Sequence, residues 1–173
     1  YDIRILSTLG FTDEDVKALE AIDEIEAVMP AQEVDMISTI GDEQYTVRVH
    51  SLNIDAAQKS DTGDGVQAPS DADNYLNRPI LKEGRWPEKS GECVVSADAV
   101  SDRSIQIGDT VKMLEGTQEP DDVLEAKEFT IVGFVSSSYY PNSSSMGMTS
   151  LGSGYIQQYI YVSEEDFVEN EIY

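Results

Sequence analysis

Apolar and polar residues alternate in short blocks along most of this chain, the spacing of half-buried β-strands. Asp2–Leu6 alternates with Ile3 and Ile5 on one face and predicts a first strand. Thr12 is followed by Asp13, Glu14 and Asp15. That order predicts a helix start, where a side-chain oxygen caps free N–H groups and acids meet the positive end of the helix dipole. Phe11 and Val16 stand at the positions of a hydrophobic staple, and Val16, Leu19 and Ile22 form a helical stripe that ends near Asp23. A strand near Ile25–Met29, stopped by Pro30, would complete a βαβ-like start. Val34–Ile40 and Tyr45–Ile54 then flank Gly41-Asp-Glu-Gln44, a predicted hairpin. In its second arm Tyr45, Val47 and Val49 face one way. Thr46, Arg48 and His50 face the other, which places His50, the sole histidine, on a polar face expected to be solvated.

The stretch from Leu81 to Val135 continues the pattern. Leu81-Lys-Glu-Gly84-Arg-Trp-Pro87 bends at Gly84 and Pro87. Cys93, Val94 and Val95 form a short buried run, and Ala97–Val100 a helical turn. Thr110–Met113 puts Val111 and Met113 on one face, and Gly116–Glu125 reads as a hairpin loop. Phe129 and Ile131 share an alternation with Gly133, whose missing side chain leaves room for a bulge or a close backbone approach. Gln157–Val162 is a further strand, with Gln158, Ile160 and Val162 opposite Gln157, Tyr159 and Tyr161. Ser163, followed by Glu164, Glu165 and Asp166 and flanked by Val162 and Phe167, repeats the helix-start pattern.

Two stretches break the alternation. Residues 55–75 carry Gly63, Gly65, Pro69 and many acids but few large apolar groups, and read as an acidic, flexible surface loop. Asp61-Thr-Gly-Asp-Gly65 and Asp71-Ala-Asp73 faintly resemble calcium ligands without the spacing of an EF-hand. Residues 136–154 hold eight serines and three glycines among Tyr139, Tyr140, Met146, Met148 and Leu151. Serine and glycine give flexibility, while tyrosine and methionine give adaptable contact surface. Tyr139, Tyr140, Met146 and Met148 are therefore the candidate partner-contact residues, set against a flap packed on its own domain.

Charge narrows the function. Against 34 acids stand 11 bases, a net charge of −23 in 173 residues. No basic footprint for nucleic acid exists, and cationic partners are attracted on average. One cysteine allows no internal disulfide, and Cys93 reads as a small core hydrophobe rather than a reactive thiol. With one histidine and one cysteine the usual zinc sites cannot be built. Neither a G-x-S-x-G elbow nor a P-loop occurs. No catalytic, cofactor-binding or metal residue is assigned, and no cofactor is expected. The uncharged run from Thr130 to Ser163 is interrupted by Ser, Gly, Asn, Gln and Pro, and so does not read as a membrane span.

The order Glu83-Gly-Arg-Trp-Pro87, Gly91-Glu-Cys-Val-Val-Ser96, Ile107-Gly-Asp-Thr-Val111 and Phe129-Thr-Ile-Val-Gly-Phe-Val135 resembles the extracytoplasmic domain of MacB/FtsX-like ABC transporter permeases. The resemblance extends to Val28-Met-Pro30 and Tyr159-Ile-Tyr-Val162 and so covers most of the chain. It implies an α+β fold in two parts. Residues 1–54 and 155–173 would form an α/β, porter-like subdomain, incomplete at its C-terminal end because a further strand–helix segment normally follows. Residues 76–135 would form an inserted β-rich subdomain, with the loops 55–75 and 136–154 as connections.

The function so implied is a non-catalytic domain outside the cell membrane. It would transmit ATP-driven motion to an extracellular protein, a cationic peptide or another cargo. Its expected partners are its own transmembrane helices and a cytoplasmic ATPase subunit, within a dimeric full-length transporter. The alternative is a secreted ligand- or calcium-binding module; a hydrolase with an unrecognised site is a third, weaker reading.

Overall fold

The computed structural model describes residues 3–7, 9–61, 75–97, 105–114, 120–141 and 146–168. Two helices, α1 (Asp13–Glu20) and α2 (Ile54–Ser60), accompany seven strands: β1 (Glu33–Ile40), β2 (Glu43–Leu52), β3 (Ile80–Gly84), β4 (Glu92–Ser96), β5 (Thr110–Leu114), β6 (Glu128–Ser136) and β7 (Gln158–Ser163). The sheet order is β3-β6-β4-β7-β2-β1-β5, with β5 pairing β6 as well as β1. That second pairing closes six strands into a ring. β3 shares an edge of β6 with β5: Thr110–Lys112 of β5 pair its first half, and Ile80–Gly84 pair its second. The α+β class is as expected. Strands from both proposed subdomains are hydrogen-bonded in this one sheet, β7 to β2 on one side and to β4 on the other.

Alternation fills the ring. Val34 and Met36 of β1, Val47 and Val49 of β2, Cys93 and Val95 of β4, Val111 and Met113 of β5, and Ile160 and Val162 of β7 meet in one apolar cluster. Each such side chain contributes roughly 1.5–3 kcal/mol when fully buried. Cys93 is fully buried, as expected of a core thiol, and burial pushes its pKa up. Leu124 and Phe167 close one end and form a β-bridge to each other. That bridge explains why the predicted helix after Ser163 is only a 3-10 turn, Glu164–Asp166. Ser163 caps it as expected, but Phe167 is drawn back into the barrel end and extends the chain.

A second apolar cluster lies outside the ring against β4, β6 and β7, and contains Ala56 and Ala57 of α2, Tyr75, Trp86, Met146 and Ile156. β4 and β7 are therefore buried on both faces. Helix α2 occupies the start of the stretch read as a loop from residue 55. Its N-cap is Asn53, whose side chain accepts from Ala56 N, and two alanines on its inner face explain why it packs. The rest of that stretch, including most of the calcium-like acids, lies outside the described residues. So do residues 98–100 of the predicted helical turn. The Trp86 indole N–H donates to Asp61 at 2.7 Å and ties the end of α2 to the β3–β4 turn. That turn is held by the Arg85 guanidinium, which grips Glu92 through two bonds of 2.7 and 2.8 Å.

The N-terminal segment departs from expectation. Helix α1 forms with a capping box at Thr12, but none of its residues is buried. Neither the strand over residues 2–6 nor that over residues 25–29 is present among the described residues, and Ile3 and Leu6 are exposed. A strand forms only where a neighbour takes up its N–H and C=O groups. Among the described residues no strand pairs with this segment.

Gly133 behaves as its place in the alternation suggested. Cys93 faces Ile131 but Val94 faces Gly133, so β6 carries one extra residue. The bulge resets the alternation and returns Phe134 to the interior beside Ile131. It also brings the β3 end so near that a Cβ on Gly133 would lie 2.6 Å from Arg85 O and 2.8 Å from Glu83 O. Gly133→Ala is expected to destabilise the fold by about 1–3 kcal/mol, because backbone rather than a movable side chain must yield. A urea denaturation midpoint equal to that of the parent chain would contradict this.

Candidate functional site

The outer face of β2 carries the polar row predicted from its alternation. Its neighbours follow from register. Across the β1–β2 hairpin, Glu33 lies opposite His50 and Asp35 opposite Arg48. On the other side Arg48 faces Tyr159 and His50 faces Tyr161 of the parallel strand β7. Two cross-strand rows result: Glu33–His50–Tyr161 and Asp35–Arg48–Tyr159. Arg48 grips Asp35 through Nε at 2.6 Å and Nη2 at 2.9 Å, and this pairing holds its pKa further up.

Residues 137–141 and 146–156 fold over these rows as a flap. Tyr139 stacks on His50 with centroids 5.5 Å apart, and His50 also stacks on Tyr161 at 5.0 Å. Tyr140 stacks on Tyr159 at 4.2 Å and places its hydroxyl 2.6 Å from His50 Nε2. The Arg4 guanidinium covers the Tyr139 ring at 5.4 Å and pairs with Glu33 at 2.6 Å. Further along, Ile156 N donates to Gly147 O at 3.0 Å, and Thr46 N donates to the Gln157 side chain at 2.9 Å.

His50 is thus 5% exposed, not solvated. The alternation gave its direction correctly, but the flap that covers it comes from a serine-rich stretch with no strand signal. Burial first, then Arg48 and Arg4, pull its pKa down to about 3. The ring is neutral, so its 3.5 Å approach to Glu33 is not an ion pair. The Glu33 carboxylate can only accept, which puts the ring proton on Nδ1 and leaves Nε2 to accept from the Tyr140 hydroxyl.

Of the four candidate contact residues, Met146 is buried and Tyr139 and Tyr140 are half-buried. Met148 is 76% exposed. It bridges Tyr155, 62% exposed, across the flap's tip. Residues 142–145 lie outside the described residues.

Beside His50 lies a cavity of about 240 Å³, whose lining includes Asn53, Tyr75 and Glu164. Sequence reasoning named Glu164 only as a helix-start acid and did not single out Asn53 or Tyr75, though the helix-start signature at Asn53-Ile-Asp55 was present. Among the described residues no group of His, Cys, Asp and Glu could hold a metal ion, and no helix is long and apolar enough to cross a membrane.

Residues 3–172 match the family of the MacB-like periplasmic core domain, and the chain belongs to that family. It is thus an extracytoplasmic domain of the kind carried by MacB-like ABC transporters. Among solved structures it is similar to the extracellular domain of the noncanonic ABC-type transporter YknZ from Gram-positive bacteria, at 11% identity over 93% of this chain and 71% of that one, with a TM-score of 0.46. It is also similar to the periplasmic region of MacB from Actinobacillus actinomycetemcomitans, at 16% identity over 89% of this chain and 65% of that one, with a TM-score of 0.41. No curated protein sequence matches.

The depressed His50 pKa makes a pH prediction. Between about 3 and the ordinary 6.5 the unfolded chain binds a proton that the folded chain excludes. Stability contributed by neutral His50 is present above pH 6.5 and is lost as pH falls below it, at up to about 1.4 kcal/mol per pH unit. His50→Gln is expected to flatten this slope between pH 6.5 and 5, read by urea unfolding at each pH. Parallel curves for the two proteins would contradict a buried neutral imidazole.

Proposed function

We propose that the domain is a passive transmission element. Motion generated by a cytoplasmic ATPase reaches it through the transporter's own transmembrane helices, and it passes that motion to an extracellular protein, a cationic peptide or another cargo. The observation that carries this reading is the flap's attachment. Tyr139, Tyr140 and Met146 are packed against a closed barrel, while Met148 and Tyr155 project from it. A ring without free movement between its strands turns displacement at one end into displacement at the other. The flap tip, with two exposed apolar side chains on a strongly acidic domain, is the contact surface in this reading. Met148 serves as contact, and the two tyrosines and Met146 serve as anchors. The working unit is a dimer in the full-length transporter.

The test uses the full-length transporter with its ATPase and a spin label at Met148→Cys, in a Cys93→Val background. The distance between the labels of the two copies is expected to change on ATP binding. Labels at Lys112 and Met148 within one copy should keep theirs. An unchanged inter-copy distance would contradict transmission through this domain, and a changed intra-copy distance would contradict the rigid coupling of flap and barrel.

A further inference from the structure

The cavity beside His50 has two unlike kinds of wall. Met29, Leu52, Ala56, Pro79 and Tyr161 supply apolar surface, and Glu164 supplies a carboxylate. The cavity, at about 240 Å³, has room for an unbranched chain of several heavy atoms. Glu164 accepts from Asn53 Nδ2 at 3.3 Å, and the other end of that amide is committed to capping α2 through Ala56 N at 2.9 Å. No Lys, Arg or His among the described residues forms an ion pair with Glu164. Arg78, the base next to Tyr75, is turned onto the Tyr75 ring and carbonyl. Burial, reinforced by Glu165 and Asp55, raises the Glu164 pKa, as expected of a carboxylate short of positive charge.

An anion would meet the Glu164 carboxylate here, with Glu165 and Asp55 near enough to raise its pKa. A neutral ligand would leave the exposed Glu164 carboxylate at the cavity wall without an ionic partner. A cation on an apolar stem satisfies both walls at once, and the net charge of −23 raises its local concentration. We propose that this cavity binds a primary alkylammonium group, with its stem against Met29, Leu52, Ala56 and Pro79 and its ammonium on Glu164. A lysine side chain of a peptide and a free linear amine share this chemistry. The site gives the transmission reading a ligand class but does not depend on it. Failure of one leaves the other standing, because motion at residue 148 and amine binding are separate readouts.

The 173-residue chain would be titrated with three probes, followed by NMR of its tyrosine rings: Nα-acetyl-lysine methylamide, cadaverine, and Nα-acetyl-norleucine methylamide, which keeps the four-carbon stem and lacks the ammonium. Both amines are expected to shift the ring signals of Tyr75 and Tyr161 and to bind roughly tenfold or more tightly than the norleucine probe. Tighter binding of the lysine probe assigns the site to peptides, and tighter binding of cadaverine assigns it to free amines; either supports the proposal. Glu164→Gln should weaken amine binding by a similar factor, while Glu128→Gln, on a remote exposed strand end, should not. Ala31→Phe, at the exposed rim, should block entry without lowering the melting temperature. The proposal is overturned if neither amine binds, if the norleucine probe binds equally well, or if the two Glu→Gln variants weaken binding alike. That last result would reduce the effect to general charge attraction.

Discussion

Strand β5 hydrogen-bonds on both sides. Ile37–Ile40 of β1 take one edge and Glu128–Thr130 of β6 take the other. That double pairing turns a sheet into a closed barrel, and the remaining architecture follows from it. Closure reduces the exposed ladder edge, which otherwise invites pairing with other chains, and among the described strands β3 keeps its outer edge unpaired. It also fixes which side chains point inward, since a one-residue slip of any strand would expel its apolar set. The bulge at Gly133 is the local departure that lets β6 serve β3, β4 and β5 together.

Closure also creates an outer face, and on the β2–β7 side that face is aromatic. His50, Tyr139, Tyr140, Tyr159 and Tyr161 form one stacked group, bonded through Tyr140 to His50, Ser137 to Tyr161 and Tyr159 to the Val135 carbonyl. Burial of so many polar tips is tolerated because each finds a partner, and such satisfied networks rigidify what they join. The joined parts are the flap and the barrel. This is the physical basis for treating residues 137–141 and 146–156 as an extension of the sheet rather than as a free loop. At the barrel end, Asp166 plays a related part. Its carboxylate accepts from Ser90 Oγ and from Gly91 N and so pins the β3–β4 turn to the segment after β7.

Much of the barrel was legible in the sequence. The alternations in Val34–Ile40, Tyr45–Leu52, Thr110–Met113, Phe129–Ile131 and Gln158–Val162 each name the side that faces the core, because a strand's period of two leaves little ambiguity. The β1–β2 half of each cross-strand row was encoded in the turn as well. A turn confined to Gly41 and Asp42 fixes Ile40 opposite Glu43, and from there Glu33 opposite His50 and Asp35 opposite Arg48. Reading the turn as four residues hid that register. The covering of His50 was not legible. Serine and glycine between the tyrosines carry no periodicity, and only packing against β2 and β7 gives that stretch a shape. Residues 55–60 misled for the opposite reason: acids and short side chains signalled a loop, but Asn53 was a cap and Ala56 and Ala57 were small enough to lie flat on the sheet. At the N-terminus, local signals specified α1 correctly, yet Val16, Leu19 and Ile22 find no core there. A helix stripe states what can be buried, not that a partner surface is present.

Closure of the ring is tested most directly by native-state hydrogen exchange of the β5 amides. A closed barrel predicts that Val111, Lys112 and Met113 exchange only through the same global opening as Val47, Val95 and Ile160, with a common free energy and a common urea dependence. If the β5 amides exchange through a smaller, separate opening while β2, β4 and β7 stay protected, the ring is not a cooperative unit and the rigid coupling built on it fails.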